Sequence, residues 1–211
     1  MDGLFVAPDG QPRCPWCRAE QAFLPYHDLE WGFPVADDRR LFEKLCLEAF
    51  QSGLSWRTIL MKRENFRAAF AGFDWTQVAR FGDPDVAGLL ADAGIVRHRG
   101  KIQAVINNAQ RLEDLLSEFG SLAAYVWQWE PKPASRPHPL TWDVARTITT
   151  SPEAIAMSKD LKKRGWAFVG PTTVYAFHQA MGLVNDHIEG CFVRPAAIQA
   201  RAAFLSPVKQ P

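Results

Sequence analysis

An all-helical domain is what this sequence predicts, on three observations. Apolar residues recur three and four positions apart through most of the chain, helix-starting and helix-stopping residues bracket those runs, and no segment alternates in the way of a strand. The stretch DDRRLFEKLCLEAFQSG opens on an aspartate that can cap a helix and closes before Gly53, with Leu41, Phe42, Leu45, Cys46 and Ala49 on its apolar face. A second pattern runs through SWRTILMKRENFRAAFAGF and a short one through WTQVARF. In DPDVAGLLADAG, Asp83 can cap, Pro84 suits the first helical position and Gly94 ends the helix. RHRGKIQAVINNAQRLEDLLSEFG keeps a helical period up to Gly120, and SLAAYVWQW adds a short helix. The proline-rich EPKPASRPHPLTWD reads as an extended loop rather than a linker, because helical patterns of similar composition flank it. SPEAIAMSKDLKKRG and PTTVYAFHQAMGLVNDHIEGC supply two further helices. One helical domain over residues 1–211 is expected, with its core at about 13–195 and loosely held ends.

The bulk numbers bound the function. Apolar residues make up 47% of the 211 and charged residues 22%, a composition able to bury a sizeable core. No apolar run is long enough to span a bilayer, so no membrane partner is expected. The start, MDGLFVAPDG, lacks the basic and apolar regions of a signal peptide, which points to the cytoplasm and reduced thiols. The four cysteines are therefore better metal-ligand candidates than disulfide partners. A net charge of +1 gives no argument for nucleic acid, but RHRGK and KDLKKRG are compact basic stretches, each also readable as a solvated helix end. Eight tryptophans suit either stacking surfaces or a large aromatic core.

His187 and Cys191 stand four residues apart and can share one face of a helix or helical turn. Cys14 and His27 could supply two more ligands, which would make a closed tetrahedral zinc site coupled to folding. Two pairs of ordinary core residues would read the same way by spacing alone. CPWC offers a rival arrangement in which Cys17 replaces one histidine.

Several blocks taken together resemble the 3-methyladenine DNA glycosylase I family: RCPW, PYHDLEWGFPVADDRRLFEKLCLEAFQSGLSW, RENFRAAF, AGIVRHRGKIQAVINNA and LKKRGWAFVGPTTVYAFHQAMGLVNDHIEGC. The likeness runs from about Arg13 to about Pro195. It implies an all-helical fold of the helix-hairpin-helix DNA glycosylase kind, with the chain ends tied by one structural Zn2+ held by Cys14, His27, His187 and Cys191. Cys17 departs from the pattern. Cys46 lies within an apolar helix and reads as a core thiol.

The resemblance also implies a chemistry. A base methylated at N3 carries a positive charge in DNA, so its glycosidic bond is already weak and recognition matters most. The nucleotide must leave the stack, at a cost of a few kcal/mol, and enter a pocket that holds a flat cation. Aromatic faces attract a cation by roughly 0.5–2 kcal/mol each. Trp16, Tyr26 and Trp56 match the family's aromatic pocket, with Trp31 as a wall or support and core packing as the alternative for any one ring. Glu48 shares a helical row with Leu41 and Leu45. It reads either as the acceptor for the base's N–H groups, and so as the catalytic residue, or as one half of a helical ion pair with Lys44. Gln51 can assist it. In the hairpin LLADAGIVRHRGK, backbone N–H groups near Gly94 and the charges of Arg97, Arg99 and Lys101 are expected to hold a DNA phosphate, although Val96 stands where the wider superfamily has a second glycine. Gly53 and Leu54 are candidates for a wedge filling the gap left by the flipped base. Asp114 lies on a charged helical face and takes no role. The expected activity is monofunctional excision of 3-methyladenine from alkylated double-stranded DNA by a monomer, with water as nucleophile, free 3-methyladenine released and an abasic site left unnicked. A non-catalytic module that binds alkylated or distorted DNA is the alternative, and a zinc hydrolase a third reading.

Overall fold

The computed structural model describes residues 3–208. The chain opens with a small hairpin where no strand is expected, Phe5–Val6 (β1) pairing antiparallel with Pro12–Arg13 (β2). Arg13 fixes it by donating to both Asp9 and Asp28 at 2.7 Å. A 3-10 turn, Pro15–Ala19, then carries Trp16. Helix α1 (Phe23–Leu29) buries Tyr26 and His27.

Helix α2 (Asp38–Gln51) starts as its sequence predicts, with the Asp37 carboxylate accepting the Arg40 N–H at 2.8 Å. The next pattern is two helices, not one: α3 (Trp56–Leu60), capped by Ser55, and α4 (Arg63–Ala69), followed by a 3-10 turn at Ala71–Phe73. The turn between them lets Ile59, Phe66, Phe70 and Phe73 all reach the core. Helix α5 (Trp75–Val78) follows its Asp74 cap. Helix α6 (Asp83–Ala91) is capped one residue earlier than expected, at Gly82, whose N–H donates to Asp85 at 2.8 Å. It also stops at Ala91, so Gly94 belongs to the loop that follows.

Helix α7 (Arg99–Phe119) starts two residues later than its sequence pattern, after a His98 cap, and stops at Gly120 as expected, where φ is +81°. Ser121 caps α8 (Leu122–Trp127). The proline-rich loop contains one turn of helix, α9 (Trp142–Ala145). Ser151 caps α10 (Pro152–Lys163), with Pro152 at its first position. Helix α11 (Pro171–Ala180) ends well short of Cys191. The reason is Gly182, at φ +76° and pressed against the backbone of Phe33 and Pro34, where no side chain fits. Before the end of the described residues, α12 (Arg194–Ala203) forms, Phe204 packs 4.5 Å from Trp127, and Arg201 binds Glu130; residues 209–211, within the stretch expected to be loosely held, lie outside the described residues.

Helix α2 is the hub. It contacts α3, α7, α8 and α11, while α10 backs α11 and α5 and α6 pack on α7. Leu41, Phe42, Leu45, Leu47 and Phe50 are buried on several sides of α2. A helix enclosed in this way buries its polar residues too, and Lys44 and Glu48 are both carried inside.

Candidate active site and metal centre

Glu48 is only 6% exposed and faces a cavity of about 220 Å³. That volume is several times the ~30 Å³ share of one water molecule. Trp16, Tyr26, Trp31, Gln51 and Trp56 line the same cavity, so the structure brings every sequence-predicted pocket residue to one place. Tyr26 and Trp56 sit 5.2 Å apart between ring centroids, and Trp16 meets Tyr26 and Trp31 edge-on at 6.2 and 5.1 Å. Trp16 and Trp56 each hold a buried indole N–H with no partner. Burial, reinforced by the charge of Glu48, pushes the Tyr26 phenol well above 10, so it remains protonated. A groove continues from Glu48 and Gln51 past Ser52 and Gly53 to Leu54. Gly53 turns there at φ +75°, and Leu54 stands 42% exposed at the outer end.

The ion pair with Lys44, the plainer reading of Glu48, is also present. Lys44 Nζ lies 2.7 Å from Glu48 Oε1 and donates to the Tyr26 hydroxyl at 2.7 Å. The pair is buried rather than solvated, and Glu48 lines the cavity as well as pairing with Lys44.

Cys14, His27, His187 and Cys191 converge with their ligand atoms all within 4.8 Å of one another, and all four are buried. Cys191 Sγ lies 3.6 Å from His27 Nε2 and from His187 Nδ1, and Cys14 Sγ lies 3.7 Å from His187 Nδ1. Tetrahedral zinc bonds of about 2.3 Å to sulfur and about 2.0 Å to nitrogen imply a sulfur–nitrogen separation of roughly 3.5 Å, so the cluster has the size such an ion needs. The far ring nitrogens are held as ligand imidazoles usually are: His27 Nδ1 by Asp28 at 2.7 Å and His187 Nε2 by the Trp31 carbonyl at 2.9 Å. Burial pushes Asp28 up, but Arg13 and His27 outweigh it and hold its carboxyl below the usual range. Contact with Cys14 and both imidazoles draws the Cys191 thiol down, which favours a thiolate at the centre of the cluster. His187 and Cys191 meet on a turn, not on a helix, because α11 has already ended. Cys17 is outside the set. It donates to the Cys14 carbonyl at 3.0 Å, and burial pushes its thiol up to about 12.

The two sites share walls. The His27 ring lies 5.3 Å from Trp16, and His187 packs edge-on against Trp31 at 4.8 Å. A metal held by these histidines would therefore also buttress Trp16 and Trp31 of the cavity wall.

The loop between α6 and α7 presents Arg97 to solvent, and Arg99 is exposed at the first position of α7. His98 caps α7 by accepting the Lys101 N–H at 3.2 Å, and Lys62 and Asn65 grip the Gly94 carbonyl. Lys101 corrects the expectation drawn from the sequence. Its ammonium points inward, not to a phosphate, and donates to the Phe50 carbonyl at 2.7 Å and the Ser52 carbonyl at 2.5 Å. These carbonyls stand at the C-terminal end of α2, where helices lack internal partners and attract cations. Asp114 stays on the exposed face of α7 with 80% of its side chain in solvent.

Sequence reasoning missed six cavity residues: Trp142, Ala145, Ala176, Gln179, Asp186 and Ile188. Asp186 is buried and accepts from Tyr175 at 2.6 Å, from Gln179 at 2.9 Å and from Arg136 of the proline-rich loop. Its place beside His187 in NDHIEGC was the only available signal; nothing in the loop marked Trp142.

This arrangement matches a known family along most of the chain. The profile described as methyladenine glycosylase fits residues 16–194. The chain belongs to that family. It is 45% identical over 183 residues to the DNA-3-methyladenine glycosylase 1 of Escherichia coli K12, covering 87% of this chain and 97% of that one. The DNA-3-methyladenine glycosylase of Haemophilus influenzae is 41% identical over 180 residues, covering 85% of this chain and 96% of the other. A crystal structure of a 3-methyladenine DNA glycosylase I superposes with a TM-score of 0.78 at 46% identity, covering 85% of this chain and 98% of that one. The Staphylococcus aureus 3-methyladenine DNA glycosylase I, solved for the structural basis of 3-methyladenine recognition, gives 0.76 at 36% identity, covering 83% of this chain and 93% of the other. The likeness supports the helical fold and an enzyme of the DNA glycosylase class. No helix among the described residues is long and apolar enough to cross a membrane.

Proposed function

We propose that this chain excises 3-methyladenine from alkylated double-stranded DNA by hydrolysing its N-glycosidic bond. The observation that carries the reading is the buried Glu48 carboxylate set among Tyr26, Trp56, Trp16 and Trp31, in a cavity that opens toward Leu54. The lesion enters after leaving the base stack, and Leu54 on the Gly53 turn fills the space it vacates. The rings hold the flat cation, and Glu48 accepts from the N–H groups of its edge, with Gln51 beside it. The glycosidic electrons leave with the base, which departs as neutral 3-methyladenine. Water adds to the sugar carbon and gives up a proton to solvent, leaving an abasic site.

The strand is not nicked. A lyase needs a free amine at the sugar, whereas Lys101 is tied to the carbonyls at the end of α2 and Lys44 is held behind Tyr26 by Glu48. Arg97, Arg99 and the backbone N–H groups of the α6–α7 hairpin around Gly94 bind the phosphate backbone without reading sequence, in the manner of a helix-hairpin-helix element. Cys14, His27, His187 and Cys191 would hold one zinc ion per chain, and with four protein ligands it would supply a tie between the N-terminal and C-terminal segments rather than a reactive water. The protein acts as a monomer in the cytoplasm.

The test is to incubate purified protein with methylated DNA and identify the released bases by chromatography. Free 3-methyladenine, with unbroken strands until the abasic sites are cleaved by alkali, is the expected result. Absence of the released base at stoichiometric enzyme refutes the assignment.

A further inference from the structure

A recognition site built around a lone carboxylate selects cations by charge alone. This one is not built that way. The Lys44 ammonium lies 2.7 Å from Glu48, 3.4 Å from the centroid of Trp56 and 4.9 Å from that of Tyr26. It occupies the back of the two rings whose other side faces the cavity, and it is as buried as Glu48 itself. The neighbouring carboxylates are already taken: Glu30 by Arg63 at 2.7 Å and Glu43 by Arg67 at 2.8 Å. Glu48 is therefore the counter-ion of Lys44, and the pocket carries an internal ion pair with no net charge.

We infer that Lys44 is a specificity-determining residue: by neutralising Glu48 and holding one of its oxygens and the Tyr26 hydroxyl, it makes the pocket select a methylated base by the hydrogen-bonding pattern of its edge more than by its positive charge. The inference rests on the proposed function of the cavity. Two consequences follow from the contacts. Oε1 is committed to Lys44, so Oε2 is the oxygen left to accept from a base. Because the Tyr26 hydroxyl accepts from Lys44, its own proton is free to be donated to a ring nitrogen of the ligand. Both effects pre-organise a reading of the edge. Compensating the carboxylate also weakens the retention of anything cationic, including protonated product.

The experiment compares two free ligands by titration calorimetry: 3-methyladenine, which is uncharged near neutral pH, and a permanently cationic adenine methylated at both N3 and N9. The readout is the ratio of the two affinities within each variant, which loss of some folded protein does not change. Lys44→Met leaves Glu48 uncompensated, and the ratio is expected to shift about tenfold toward the cation. Glu48→Gln leaves Lys44 uncompensated and is expected to shift it about tenfold the other way. The double variant returns close to the wild-type ratio. A merely structural Lys44 would lower both affinities together and leave the ratio in place, and that result overturns the inference. So does a shift of Lys44→Met toward the neutral ligand. If wild-type protein binds neither ligand, the base-pocket reading falls and this inference with it; if it binds them and only the ratio refuses to move, this inference falls alone.

Discussion

Replacing Lys101 with methionine distinguishes a structural brace from a phosphate contact. Methionine keeps most of the apolar stem and removes the ammonium, which donates to the carbonyls of Phe50 and Ser52. Phe50 is fully buried, so its carbonyl is stranded and loses a charge-assisted bond, a cost of about 1.5–3 kcal/mol. Ser52 is exposed, so water replaces the donor there at a cost of about 0–1 kcal/mol. Burial lowers the Lys101 pKa by desolvating the ammonium, and removing that desolvation offsets part of the loss. The net expectation is a destabilisation of about 2–3 kcal/mol, or roughly 5–10 °C in Tm at this chain length. Calorimetry measures the first quantity, and binding to undamaged duplex across a salt series measures the second. The slope of log affinity against log salt stays unchanged in Lys101→Met, because no phosphate contact is removed. Unchanged stability with a slope reduced by about one would refute the brace and restore Lys101 as a DNA contact.

Three further outcomes follow from the same geometry. Arg97→Ala reduces the salt slope by about one while leaving Tm within about 1 °C, since its side chain is exposed; an unchanged slope removes it from the DNA surface. Purified protein carries one zinc per chain, and Cys14→Ser or chelation lowers Tm by roughly 5–10 °C, whereas Cys17→Ser keeps the metal; equal stability with and without metal contradicts the tie between the chain ends. Burial holds the Lys44 pKa below 10.5 against the pull of Glu48. Between that lowered pKa and 10.5 the unfolded chain binds more protons than the folded one, so the stability difference between wild type and Lys44→Met grows as pH rises through this window. Chemical denaturation at several alkaline pH values measures it, and a difference that shrinks would show the folded pKa to be raised instead.

What the sequence made legible was local. Asp37 and Gly120 each mark a boundary by a backbone requirement, and each boundary stands. Where a boundary depends on a distant contact, the sequence is silent. Helix α11 stops because the Phe33–Pro34 backbone leaves no room at Gly182, and the segment after Ser55 breaks so that Ile59 and Phe66 both reach the core. The metal cluster shows the same limit. His187 lies 173 residues from Cys14, so spacing could pair each histidine with its near cysteine but could not join the two pairs; resemblance to the family did that. The inward bonds of Lys101 were not legible because a basic residue at a hairpin looks solvated until α2 is seen to end against it. The helical pair of Lys44 with Glu48 could be read from spacing, but not its burial, because burial on several sides of α2 is a property of the packed helices, not of its own pattern.

The account stands or falls on Glu48 in its ring of aromatic side chains. Single-turnover release of 3-methyladenine from methylated duplex by Glu48→Gln, compared with its affinity for the same duplex, measures this directly. Loss of one charge-assisted hydrogen bond to the base predicts release slowed about ten- to a hundredfold, with DNA affinity changed by less than about twofold. Release at the wild-type rate from a folded Glu48→Gln protein would contradict it.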